Sequence, residues 1–467
     1  MNWINILFLI TVASTQLIYA QIDRNLVTPI KEPTALEFSE RAAAFYDYYI
    51  ERSDELEKQE SLMQTIIHAQ KAIQKDPTLA QPHGILGMLN ASLHQWENAI
   101  TELKEAVRLD PYNVQYVFEL GKVWYKTKRF NEARQSFETV CYLNPRSENA
   151  WYNLGGTLRA LAKPEEALTA FQKAIDLNPD YAPAHREIGN VRILYGDFTG
   201  AIESYTRALQ IQSADSSSLR GLGMAYCSLE QWNEAESVFN RMFYNGDQDA
   251  TVFYNRAVVL LNLKENPEQA LDYAKTAASL VPLNAMYAYT LGLAYEATHD
   301  REGAIAAYTK AALLDRNLVQ ARINLGYLYI EQELFDHAFL FLNEAYRLAP
   351  DSAEVNNNLG SVYAAQEQWT KSIEHYEKAL RVQPTNTAVR LNLAHVLVES
   401  GDFTRAIRVY REIIKTDSTN IEVQIELGKT LITNGYYQEA QQYLTALIKQ
   451  NPTYKNIHEV EAMVENL

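Results

Sequence analysis

One stretch, Glu148 to Tyr181, constrains everything else this chain can do. It reads ENAWYNLGGTLRALAKPEEALTAFQKAIDLNPDY and divides at Ala162-Lys163-Pro164 into two amphipathic runs. Trp151, Leu154 and Leu158 recur at helical spacing in the first, and Ala167, Phe171 and Ala174 in the second. Gly155 has no side chain, so the paired helix can come close. Pro179 ends the second helix, because the residue before a proline is pushed out of the helical region. The unit is a helical hairpin of about 34 residues. A single such hairpin cannot bury its own apolar face and must stack on copies of itself.

The copies are in the chain. Leu86-Gly87, Leu120-Gly121, Leu154-Gly155, Ile188-Gly189 and Leu222-Gly223 share one phase. After a one-residue slip come Leu291-Gly292, Leu325-Gly326, Leu359-Gly360, Leu393-Ala394 and Leu427-Gly428. A second-helix alanine recurs in step from Ala99 to Ala440, with Ser372 as the one substitution. The pattern W-x2-L-G-x2-Y, A-x3-F and a closing proline resembles the tetratricopeptide repeat family, which residues 148 to 181 match nearly in full. The resemblance implies an all-α, right-handed superhelical solenoid of about eleven to twelve helix-turn-helix repeats.

Six segments are expected from this register. Residues 1–20 read as a signal peptide: an apolar run from Ile4 to Ala13, too short to span a bilayer, precedes the small residue Ala20. Residues 21–34 form a tether with Pro29 and Pro33, and residues 35–79 a degenerate first repeat that caps the array, with a long helix from Ala35 to Glu57. Regular repeats fill 80–249 and, after the slip, 250–454, with a phase change expected between about residues 245 and 270. There Arg256 stands where neighbouring repeats put a core leucine. Residues 455–467 are expected to cap the far end. Export places the mature chain in the periplasm or outside the cell, or holds it by an uncleaved amino-terminal anchor.

The formal charge of −16 argues against a general binder of nucleic acid or anionic membranes. Cys141 and Cys227 fall in different repeats, which excludes a disulfide framework and predicts two inert thiols. Leu427-Gly428-Lys429-Thr430 imitates a phosphate-binding loop, but Val423 replaces its first glycine and the segment lies within a helix. The histidines form no metal-ligand pair, so neither a metal nor a cofactor is expected. Outside the repeats too little chain remains for a catalytic domain, and no enzyme activity is expected.

By the family resemblance, the first helices line a concave surface through the residues around each Leu-Gly pair. Two zones stand out there. Lys122, Lys126, Arg159, Arg186 and Arg220 make a basic stripe suited to an anionic ligand, unless Glu119 and Glu187 neutralise it. Tyr254, Tyr289 and Tyr327 accompany Asn255, Asn324, Asn358 and Asn392. Amides can bond the backbone of an extended peptide whatever its sequence, and a tyrosine offers a flat face with a polar tip. The same asparagines and tyrosines can equally serve packing between first helices. The expected function is a scaffold or adaptor holding a protein segment in cell-envelope or secretory assembly. A carbohydrate-binding adaptor in polysaccharide export and an accessory subunit of a separate enzyme remain as alternatives. The partner's identity and the oligomeric state are not legible.

Overall fold

The computed structural model describes residues 32–467, so the expected signal peptide and most of the expected tether lie outside the described residues. Among these, every regular element is a helix. The chain divides into two compact units, one ending at Ser213 and the other starting at Ala214. The division falls in the polar connection where the repeat's proline is missing.

The first unit begins with helices α1 (Ala35–Glu51) and α2 (Glu55–Lys75). The sequence suggested one helix running to Glu57. It stops earlier because Asp54 accepts from the backbone N–H groups of Leu56 and Glu57 and so starts a new helix. Four hairpins follow: α3 (Ala80–Ser92) with α4 (Trp96–Leu109), α5 (Val114–Lys126) with α6 (Phe130–Leu143), α7 (Glu148–Ala160) with α8 (Pro164–Leu177), and α9 (Ala182–Leu194) with α10 (Phe198–Ile211). Each helix packs on the next.

The second unit repeats the theme. Its helices are α11 (Ser216–Ser228), α12 (Trp232–Tyr244), α13 (Ala250–Leu263), α14 (Pro267–Leu280), α15 (Ala285–Ala297), α16 (Arg301–Leu314), α17 (Val319–Glu331), α18 (Phe335–Leu348), α19 (Ala353–Ala365), α20 (Trp369–Val382), α21 (Thr387–Glu399), α22 (Phe403–Thr416), α23 (Ile421–Thr433) and α24 (Tyr437–Gln450). A last helix, α25 (Ile457–Glu465), buries Ile457 and Val460 against the final hairpin.

Two residue columns hold each hairpin shut. The second-helix alanines, including Ala99, Ala167 and Ala304, are 0% exposed, because the first helix lies directly on them. Ser372 takes the same fully buried place, and its hydroxyl donates to the carbonyl of Gly360 at 2.7 Å, which satisfies the one polar atom the substitution introduces. One turn further on a large side chain, such as Leu103, Phe171 or Tyr308, fills the space over the first-helix glycine. A Cβ on Gly155 would stand 2.7 Å from the Phe171 ring, so glycine there is a packing requirement.

Outside the first helix pair and the slip, the turn inside each hairpin is built one way. In the first, the N–H of Gln95 reaches back to the carbonyl of Asn90 at 2.8 Å across His94, which sits at φ 59. This is a helix terminus closed by a left-handed residue. The left-handed place is taken by Lys128, Ala162, Glu230, His299, Glu333 and Glu367 in other hairpins and by glycine in only some, such as Gly196 and Gly401. Around the one-residue slip, α13 is one residue longer than the other first helices of the regular repeats, and Lys264 and Asn266 are both left-handed.

Candidate functional site

The first helices of the amino-terminal unit enclose a groove of about 810 Å³. Tyr46 and Asp47 come from α1, Met88 from α3, Glu119, Lys122, Tyr125 and Lys126 from α5, Tyr152, Asn153, Gly156 and Arg159 from α7, and Glu187 from α9. These positions share one face because 34-residue hairpins stacked in register return the same helical face to the same side.

The five basic residues do not act as a free stripe. Lys122 pairs with Glu119 at 2.9 Å, one helical turn away. Arg159 reaches across to Glu187 at 3.3 Å, and Arg186 lies 3.9 Å from that same carboxylate. Arg220, in the second unit, bonds Asp249 at 2.6 Å and approaches Asp247 at 3.6 Å. Lys126 alone of the five makes no ion pair among the described residues. Glu187 is nine-tenths buried, and its Oε2 makes no aligned hydrogen bond although Arg159 is close enough for an ion pair. We read this as an attractive contact with poor directional geometry.

In the second unit, three tyrosines stand on three successive first helices. Tyr254 on α13 tilts against Tyr287 with ring centroids 4.9 Å apart, and burial followed by the neighbouring Tyr287 raises its pKa. Tyr289 on α15 is also held above the ordinary range by burial, while a hydrogen bond with Asn324 opposes that shift. Its ring lies 5.5 Å from Tyr308, whose hydroxyl donates to the Glu296 carboxylate. Burial in turn pushes Glu296 above the usual carboxylate range. Tyr327 on α17 is the exposed member, at 47%, and donates to Glu331 at 2.7 Å. It lines a cavity of about 520 Å³ with Glu296, Arg301 and Glu331.

The asparagines separate by role. Asn324 is spent on Tyr289 and Tyr308. Asn358 is buried and accepts from Asn357 at 3.2 Å, while Asn357 accepts in turn from Asn392 at 3.2 Å. The side chain of Asn255, half-buried on α13, has no hydrogen-bond partner among the described residues. Sequence reasoning missed Tyr46, Asp47, Glu296 and Gly156. Reading the column just after each Leu-Gly pair would have exposed the last, since Gly156 is the one position there without a side chain.

Gly428, in the segment that imitates a phosphate loop, faces Leu444 as a packing glycine, and Lys429 pairs with Glu426 at 2.7 Å. Among the described residues no cluster of ligating side chains could hold a metal ion. No helix among them is long and apolar enough to cross a membrane. Burial, reinforced by Glu138, pushes the Cys141 thiol up to about 12, and burial pushes Cys227 up to about 11 despite an opposing backbone hydrogen bond. At pH 8 the thiolate fraction of Cys141 is on the order of 10⁻⁴. Iodoacetamide at that pH is therefore expected to leave both thiols of the native chain intact and to alkylate them in denaturant. Native alkylation at the unfolded rate, read by mass spectrometry, would contradict this.

Family models agree with the repeat register. A tetratricopeptide repeat model matches residues 148–181 and a second matches 86–148 and 289–353, while the cytochrome c-type biogenesis protein H TPR domain matches 348–455. The human protein O-mannosyl-transferase TMTC3 is 25% identical over 279 residues, which cover 55% of this chain and 30% of that protein. The peroxisomal targeting signal receptor of Kluyveromyces lactis is 27% identical over 129 residues, 28% of this chain and 22% of the receptor. The chain thus spans less than a third of the length of either relative. Among solved structures, the APC/C hetero-tetramer Cut9-Hcn1 aligns over 91% of this chain and 96% of its own, at 12% identity and a TM-score of 0.46.

Proposed function

Because this chain belongs to the tetratricopeptide repeat family, we propose that it is a non-enzymatic scaffold that holds an extended protein segment along its first helices. The observation that carries this reading is the state of the three tyrosines. Each has its ring or hydroxyl fixed by a neighbour: Tyr254 by Tyr287, Tyr289 by Asn324, and Tyr327 by Glu331. A side chain already held in place loses little freedom on binding, so many modest contacts from successive hairpins can add to a useful affinity. The name of the matched receptor, which reads a targeting signal, is in keeping with recognition of a peptide.

Export is part of the proposal and rests on the amino-terminal sequence, which would place the partner in the cell envelope or outside the cell. The test is an affinity capture from that fraction with the chain from Gln21 onward, beside a variant carrying Tyr254→Ala, Tyr289→Ala and Tyr327→Ala. We expect one protein to be retained by the native chain and lost by the variant, with circular dichroism showing both equally helical. Equal retention by both would remove the tyrosines from the binding surface.

A further inference from the structure

We propose that Gly156 is an open seat in the groove of the amino-terminal unit, and that it receives an aromatic side chain from the bound segment. The inference rests on the peptide-binding reading and names the residue class this unit selects. Gly155 and Gly156 are neighbours in α7 with opposite surroundings. A Cβ on Gly155 would collide with Phe171, whereas a Cβ on Gly156 meets nothing within 4 Å. A glycine inside a helix weakens it relative to alanine, since glycine loses the most backbone freedom on folding. Packing gives no reason for one at 156.

The corresponding positions on the adjacent first helices carry Met88, Lys122 and Asn190. Only at Gly156 is the helix backbone bare, and it lines the 810 Å³ groove. The groove mixes polar side chains, such as Asn153 and Gln115, with apolar ones, Val123 and Met88 among them, and two of its rings are preset: Tyr152 is held edge-on against Tyr181 at 5.4 Å and Tyr125 edge-on against Phe130 at 5.5 Å. A flat ring lying over bare backbone with ring edges beside it satisfies such a cleft better than a branched aliphatic chain.

Charge argues for an uncharged occupant. Lys122 and Arg159 are neutralised by Glu119 and Glu187, and the remaining pair, Lys126 and Asp47, is of opposite sign. The groove therefore offers no net field to select an acidic or a basic side chain.

The test uses the chain from Gln21 onward and two acetylated, amidated peptides of Gly and Ser, one with a central 5-fluorotryptophan and one with alanine there. Binding of the first is read by ¹⁹F line broadening, and the second is scored as a competitor. The fluorotryptophan peptide is expected to bind and the alanine peptide to compete about tenfold less well. Gly156→Leu is expected to weaken the fluorotryptophan peptide about tenfold or more while its Tm stays level or rises, because leucine is the better helix former. A destabilised site could not give both signs at once. Equal binding by native chain and Gly156→Leu overturns the inference, as does equal competition by the alanine peptide. If neither peptide binds while the tyrosine-dependent capture succeeds, the seat falls and the scaffold reading stands; if that capture also fails, both fall.

Discussion

Phe171→Ala is expected to lower the stability of the amino-terminal unit by about 3–5 kcal/mol, the range for deleting a fully buried aromatic ring. Phe171 is 0% exposed and fills the space over Gly155 in the tightest part of its hairpin. Gly155→Ala alone is expected to cost about 1–3 kcal/mol by overpacking, even though alanine is the better helix former. The two changes occupy the same space, so they should not add. With the ring gone, an alanine methyl at 155 has room, and Gly155→Ala made in the Phe171→Ala background should be neutral or stabilising. The coupling energy in that double-mutant cycle is expected to exceed about 1 kcal/mol. Urea melting measures it, and amide exchange should confine the losses to α7, α8 and their immediate neighbours, as nearest-neighbour stacking requires. Additive effects would mean that the glycine column is not set by the ring column.

Arg256→Leu is expected to stabilise the second unit by about 1–3 kcal/mol, in the manner of buried charges exchanged for well-packed hydrophobes. Arg256 is 9% exposed in a place that neighbouring repeats give to leucine. Its guanidinium lies 4.4 Å from the Phe243 ring centroid and 4.2 Å from that of Tyr273, and it donates to the Asn240 amide oxygen at 2.8 Å. It has no carboxylate partner among the described residues, and Nη1 is buried without a hydrogen bond. Arg322, also buried at 6% exposed, is the internal control. It bonds Glu344 at 3.1 Å and the carbonyls of Leu318 and Ala312 at 3.1 and 3.2 Å. Arg322→Leu takes the donor from the buried Ala312 carbonyl and the part-buried Leu318 carbonyl, while Glu344 turns to water, and is expected to cost about 1–3 kcal/mol. Opposite signs for the two substitutions in thermal melts bear out the contrast; a loss at both means that stacking between two aromatic rings outweighs the missing partner at Arg256.

The fold was legible because its signals are local and repeated. The Leu-Gly pairs and the alanine column each mark a place where two helices touch, and a contact made in every hairpin prints itself on the sequence many times. What escaped was of three kinds. Pairing between hairpins, as in Arg159 with Glu187 or Arg220 with Asp249, depends on the lateral offset of stacked helices, which no spacing within one hairpin reveals. Absence of contact was equally hidden: Gly155 and Gly156 are identical letters, and only their surroundings distinguish a packing glycine from an open one. The early end of α1 belongs to a third class, where one short side chain, Asp54, decides between a continuous helix and two.

The left-handed turn residues carry a last consequence, for how such a chain can change over time. His94, Lys128, Ala162, Glu230, His299, Glu333 and Glu367 each hold a conformation that is strained for a residue with a Cβ, at about 1 kcal/mol or so apiece. None of these seven is a core residue. Each single change to glycine is a small adjustment to one hairpin, made outside the buried columns that hold it shut. The chain thus keeps a distributed reserve from which stability can be raised in small steps, and against which a costly new side chain on the recognition face can be set.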